Sequence, residues 1–286
     1  MSRRSSEFLV LAIDLGSSST RTALFDDSGR CLRGATAHRQ YSVRYTTEGG
    51  AELGAMTLRR AAAACLKETL SVYRGPRGEK RIPIRALTGC AFWHSLLALD
   101  RKRQPITPIF TWADSRSMPD ARLLRSELSE REIHARTGCM LRASFWPAKL
   151  RWLRRTQPTL FRRAVHWVSP AQWIFSELFG VRACSHSMAS ATGMYDLRGR
   201  TWDLALCHAC GISPAQLGAI SDECEANARF PRQLRPAKIF TAIGDGAASN
   251  IGCGADRPGF VAINLGTSAA VRMIQWNDQA GAGELP

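Results

Sequence analysis

The chain is short of lysine: of its 39 basic residues only those at 67, 80, 102, 149 and 238 are lysine, so the formal net charge of +15 rests on arginine. Arginine in that excess can bind phosphates. Its residues are scattered, however, and the densest stretch, Arg151 to Arg163, reads as the outer faces of two short helices. No zinc-finger, homeodomain or RNA-recognition pattern accompanies the charge, so a nucleic-acid partner is not expected. No apolar run approaches the ~20 residues of a membrane span. The early apolar run Phe8 to Ile13 stops at Asp14 with no small-residue cleavage site after it, which makes it a first strand and not a leader. There is no Walker A sequence and no Gly-x-Gly-x-x-Gly opening a helix, so P-loop and Rossmann readings lose their support. The nine cysteines are an odd number spread through predicted helices and strands, and Cys207-His208-Ala209-Cys210 has no second Cys/His pair at a suitable distance. That fits reduced apolar fillers in a cytoplasmic protein better than a disulfide framework or a zinc knuckle.

What the sequence does contain is one pattern written twice. Residues 10–25 read VLAIDLGSSSTRTALF and residues 260–275 read FVAINLGTSAAVRMIQ, matching at Ala12/Ala262, Ile13/Ile263, Leu15/Leu265, Gly16/Gly266 and Ser18/Ser268, with Asp14 opposite Asn264. Each copy is an apolar run, a Gly/Ser/Thr turn and a second apolar run, the pattern of a buried strand, a tight loop and a returning strand. Two such loops suggest a duplicated domain. Small residues let backbone N–H groups and hydroxyls approach an anion, so a facing pair could hold the phosphates of a nucleotide.

The first copy, with AFWHSLLALD at 91–100, ITPIFTWADSR at 106–116 and AIGDGAASNIGCGA at 242–255, resembles the FGGY family of carbohydrate kinases. Within that family the His-Ser-Leu and Trp-Ala-Asp stretches, and SMASATGMYDL at 187–197, look most like gluconate kinases. The resemblance spans about residues 8–275. It implies an α/β, ribonuclease-H-like fold of the actin-like ATPase and sugar kinase superfamily, with ATP and Mg²⁺ as cofactors and a small sugar or sugar acid as substrate. It also implies transfer of the ATP γ-phosphate to an acceptor hydroxyl. Relatives carry a complete second domain after the second phosphate loop. The expected organisation is therefore an N-terminal domain over 1–236 and the start of a second over 237–286, and the alternative function is an inactive paralogue or sugar-binding remnant.

Phosphoryl transfer needs positioning, charge neutralisation and a carboxylate to take the hydroxyl proton. Asp14 ends the first strand, where its carboxylate could ligate Mg²⁺ directly or through water, or merely cap the loop. Gly16, Ser17, Ser18, Ser19 and Thr20 offer donors to phosphates, as Gly266, Thr267 and Ser268 would from the second copy; Arg21 matches a position that relatives place near the transferring phosphate. By resemblance Asp245, between two glycines, is the general base, although a lone Gly-Asp-Gly is commonly a turn or N-cap. Trp93, His94, Asp114 and Arg116 match acceptor contacts: the Trp face would stack on a sugar, the His N–H would donate to a hydroxyl, and Arg116 would pair with a carboxylate such as that of gluconate or with Asp114 or Asp120.

Strands are expected at 7–13, 21–26, 30–37 and 84–90, a helix at 56–73, mainly helix over 117–180 and a linker over 222–238. Strands at 239–244, 259–264 and 269–274 would lack the cover a full second domain provides. Ile239, Ile243, Ile251, Val261, Ile263 and Val271 are then expected to be exposed or to borrow cover from elsewhere, with a homo-oligomer as one consequence.

Overall fold

The computed structural model describes residues 6–73, 82–224, 234, 237–265 and 269–274. β1 (Leu9–Leu15), β2 (Ser19–Asp26) and β3 (Cys31–Gln40) form an antiparallel meander, in which Asp14 lies opposite Arg21 and Leu15 opposite Thr20. β4 (Arg44–Tyr45) and β5 (Ala51–Leu53) then lead into α1 (Ala55–Val72), and β6 (Ile84–Ala91) returns parallel to β1. This three-strand, helix, parallel-strand order is the one the motifs called for.

The sheet has two unlike faces because side chains alternate along each strand. Leu9, Leu11, Ile13 and Leu15 point one way and are buried, with α1 beneath them: Thr22 and Thr69 share a hydroxyl hydrogen bond of 2.6 Å and Cys65 donates to the Thr20 carbonyl. Ala12, Asp14, Arg21 and Phe25 line the opposite face, which opens as a groove of about 350 Å³.

A helical layer follows. It comprises β7 (Leu97–Leu99), β8 (Ile109–Phe110), α2 (Met118–Glu127), α3 (Glu130–Thr137), α4 (Trp146–Thr156), α5 (Pro158–Arg163), β9 (His166–Val168), α6 (Pro170–Phe179), α7 (His186–Ser190), β10 (Tyr195–Asp196), β11 (Thr201–Trp202) and α8 (Leu204–Cys210). Trp146, Trp167 and Trp173 are fully buried in it. β9, inside the stretch expected to be mainly helical, pairs antiparallel with β7. α6 packs on the sheet through Phe175, whose ring would lie 3.2 Å from a β-carbon on Gly89. Ser169 and Gln172 close a capping box at its start and left-handed Gly180 ends it.

β12 (Glu223–Cys224), β13 (Lys238–Phe240), β14 (Ile243–Gly244), α9 (Asp245–Gly252), β15 (Val261–Leu265) and β16 (Ala269–Met273) complete the described chain. β13 and β14 run parallel to β6, and β12 pairs with β13. This corrects the expected boundary at 236/237: the first sheet continues to Gly244, and its strand Glu223–Cys224 lies in the expected linker, the rest of which falls mostly outside the described residues. For the same reason Ile239 is fully buried and Ile243 half-buried: these two take cover from the first sheet, whereas the residues of the hairpin do not. The β15–β16 hairpin does show the exposed apolar face, with Leu265 at 82 %, Val271 at 71 % and Ile263 at 63 % exposure.

Candidate active site

Three parallel strands finish side by side. Asp14 pairs in register with Cys90, Cys90 with Ile243, and Gly244 then hands the chain to Asp245 at the first position of α9. The Cys90 thiol donates to Asp14 Oδ1 at 3.4 Å, and its own pKa is driven up by burial and then by the Asp14 carboxylate. Asp245 accepts from the Gly246 N–H at 2.8 Å. Burial raises its pKa above the usual carboxylate value, and neighbouring Asp14 adds to the rise while Arg272 and the Gly246 N–H oppose it. A carboxylate so raised is a stronger proton acceptor than a solvated one.

The loop after β1 is a tight turn in which the Gly16 N–H donates to the Ser19 carbonyl, and a β-carbon on Gly16 would sit 2.9 Å from that oxygen. Tyr41 braces it, donating its hydroxyl to the Gly16 carbonyl at 2.6 Å. Thr20 is fully buried and spends its hydroxyl on the Asp14 carbonyl at 2.7 Å, so its side chain holds the loop and does not face an anion. Ser17 and Ser19 are half-buried, while Ser18 and Arg21 are exposed, Arg21 on the groove face beside Asp14. Gly266, Thr267 and Ser268 lie outside the described residues.

Trp93 is half-buried, and its indole lies against the turn that carries Asp245: a β-carbon on Gly244 would fall inside the ring, and one on Gly246 would stand 2.6 Å from it. Its Nε1 is buried without a partner among the described residues. His94 sits in the left-handed region at φ 61°. Its Nδ1 is 2.6 Å from the Ala191 carbonyl, and since a carbonyl only accepts, Nδ1 carries the proton and Nε2 is a bare acceptor. Burial lowers the imidazole pKa to about 4. The expected N–H donor is thus a lone pair awaiting a hydroxyl hydrogen.

Asp114 and Arg116 are occupied with each other. Asp114, 2 % exposed, accepts from Arg116 Nη2 at 2.6 Å and Nε at 3.1 Å and from the Ala51 N–H at 3.0 Å. Arg116 also reaches Glu52 at 2.7 Å and stacks over Trp152 with its carbon 4.6 Å from the ring centre. The ion pair to Asp114 therefore takes the guanidinium that was expected to meet a substrate carboxylate. Glu52 was missed in the sequence, where nothing local ties it to a residue so distant. Lys149 was missed too, although its position on the α4 stripe with Trp146, Leu150 and Leu153 gave a signal.

Asp14 offers a carboxylate suited to Mg²⁺, which is held through one or two carboxylates with the remaining ligands from phosphates and water. Among the described residues there is no cluster of three or more His, Cys, Asp or Glu side chains able to cage a metal alone. No described helix is long and apolar enough to cross a membrane.

Known proteins share this sequence pattern and fold. The family model for the N-terminal domain of the FGGY family of carbohydrate kinases matches residues 9–252. The chain is 29 % identical over 273 residues to a gluconokinase from Bacillus subtilis (strain 168), covering 93 % of this chain and 52 % of that protein. It is 28 % identical over 273 residues to a glycerol kinase from Nostoc sp. (strain PCC 7120 / SAG 25.82 / UTEX 2576), covering 93 % and 53 %. Among solved structures, gluconate kinase from Lactobacillus acidophilus superposes with a TM-score of 0.82 at 24 % identity over 93 % of this chain and 54 % of that one, which shows the shared fold. The chain spans about half the length of the curated relatives it matches.

Proposed function

Because this chain belongs to the FGGY family of carbohydrate kinases, we propose that it carries the acceptor site and catalytic base of an ATP-dependent sugar kinase acting on a sugar acid of the gluconate type. The observation that carries the reading is the convergence of Asp14, the Trp93–His94 loop and Asp245 at adjacent strand ends. Asp245 takes the proton of the attacking hydroxyl, and burial, by raising its pKa above the usual carboxylate value, makes it a stronger acceptor. His94 accepts a hydrogen bond from a sugar hydroxyl through Nε2 and stays neutral while doing so. Ser17, Ser18, Ser19 and the Gly16 turn face the phosphates with Arg21, and Gly266, Thr267 and Ser268 would meet them from the other side. Asp14 would hold Mg²⁺, directly or through water. When bound, that ion supplies neutralisation of phosphate charge.

Asp114 and Arg116 enter as supports of the acceptor pocket. The proposed domains are the sheet and helical layer with the base-bearing turn at its edge, followed by the second-copy hairpin. An ADP-release assay of the purified chain against gluconate, xylulose and glycerol tests the proposal: release that depends on one sugar acid supports it. Calorimetric binding of the sugar without ADP release would favour a sugar-binding protein instead, and neither binding nor release with any acceptor would overturn the reading.

A further inference from the structure

Lys149 is the described residue whose chemistry the phosphoryl-transfer reading leaves unused. It is fully buried, on the apolar stripe of α4, where an apolar side chain would cost nothing to desolvate. No carboxylate among the described residues lies within ion-pair distance of it. Its Nζ instead donates to two backbone carbonyls, His94 at 3.0 Å and Ser144 at 2.6 Å. Two acceptors match the two N–H bonds of a neutral amine, and burial lowers the Lys149 pKa to about 7, with Asp114 opposing that shift. The carbonyls come from different loops. One belongs to the residue held at φ 61°, a conformation a non-glycine residue keeps only when its surroundings impose it. The other precedes Phe145, whose ring meets the His94 imidazole edge-on at 4.7 Å.

We propose that Lys149 is a positioning residue for the acceptor site: by tying the His94 and Ser144 carbonyls together it holds His94 in its left-handed conformation and aims Nε2 at the sugar. The part concerning sugar rests on the kinase reading, whereas the part concerning His94 does not. Replacing the amine with an apolar chain of similar length removes both hydrogen bonds while keeping the volume. His94 is then free to relax, and the bond from Nδ1 to Ala191 loosens with it.

The test compares wild type with Lys149→Met by ¹⁵N-histidine NMR without ligand and by calorimetry with gluconate, xylulose and glycerol. The expected results are loss or marked shift of the His94 Nδ1–H signal in the variant and a fall of at least ~10-fold in affinity for whichever acceptor the wild type binds, the scale of losing one to two hydrogen bonds. Added propylamine should restore part of the affinity to Lys149→Ala, which a loss of packing alone would not allow. An unchanged His94 signal in a folded Lys149→Met, or unchanged acceptor affinity, overturns the proposal. Failure of the wild type to bind any probe sinks the kinase reading but leaves the His94 measurement standing. Should Lys149→Met not fold, Lys149→Gln, whose amide nitrogen sits one bond nearer the backbone than Nζ and so cannot take its place between the two carbonyls, gives the same comparison. A wild-type ¹³C-lysine spectrum needs no variant: the Lys149 Cε signal must move when the bound acceptor is saturating, and a static signal counts against the proposal.

Discussion

Asp114→Ala separates a structural from a substrate role for the Trp-Ala-Asp-Ser-Arg stretch. The carboxylate is 2 % exposed and takes two hydrogen bonds from the Arg116 side chain and one from the Ala51 N–H, itself fully buried. Removing it leaves a guanidinium, 19 % exposed at the side chain, with Glu52 as its remaining carboxylate, and strands a buried N–H. Breaking one partner out of a buried pair costs about 3–5 kcal/mol. At roughly 2–4 °C per kcal/mol for a chain of this size class, the melting temperature should fall by about 6–20 °C. Asp114→Asn, which keeps the shape and one acceptor oxygen for Ala51, should fall by less. Glu127→Ala, which removes the exposed partner of Arg151, should leave the melt unchanged. The assay is thermal unfolding by circular dichroism, with acceptor affinity measured in parallel. A melt within ~2 °C of wild type, together with an affinity loss of more than ~100-fold, would refute the structural assignment and return Asp114 to the substrate.

Asp245→Asn should lower kcat by at least ~10²-fold with acceptor affinity changed only a few-fold, because it removes proton acceptance at constant shape; equal turnover by the mutant removes Asp245 from the base role. Asp14→Ala should abolish Mg²⁺-dependent turnover and weaken nucleotide binding chiefly when the metal is present, so calorimetry with and without Mg²⁺ distinguishes a lost ligand from a collapsed loop. His94 gives a pH signature: its folded pKa of about 4 lies below the unfolded value of 6.5, so the unfolded chain takes up a proton first as pH falls, and stability is lost between pH 6.5 and 4. Each unit in that window costs about 1.4 kcal/mol, roughly 3 kcal/mol in all, and His94→Gln should flatten that part of a urea-denaturation profile. An unaltered slope in the mutant would mean that His94 is not the buried group.

The elements that organise the sheet were legible because their signals are local. Period-2 alternation marks β1, β2 and β6, and the stripe Leu58, Ala62, Cys65, Leu66, Thr69 marks the buried side of α1. The first Gly/Ser loop and the Gly-Asp-Gly turn were likewise visible as small-residue punctuation between apolar runs. The direction of individual side chains was not, because it depends on partners remote in sequence. Thr20 looked like a phosphate donor and is instead turned to the Asp14 carbonyl. Arg116 looked like a carboxylate receptor, but Glu52 and Asp114 had already claimed it. The 236/237 boundary was misplaced because two prolines and a polar stretch are linker-like wherever they occur, and nothing local reveals that the strands around them pair with β6.

The glycines flanking Asp245 show how a correct motif can hide its physical reason. From sequence they seem to clear space for a substrate. In the structure the space on their open side is filled by Trp93, whose indole could not lie there if either glycine carried a β-carbon. The Trp93–His94 loop and the Gly244–Gly246 turn are therefore in direct van der Waals contact, one residue away from His94 and one from Asp245. A dense contact of this kind transmits small displacements, since packed interiors have little room to absorb them. On the proposed reading a sugar that pulls on His94 would bear on Asp245 through Trp93, and Lys149, which donates to the His94 carbonyl, would act on the same linkage.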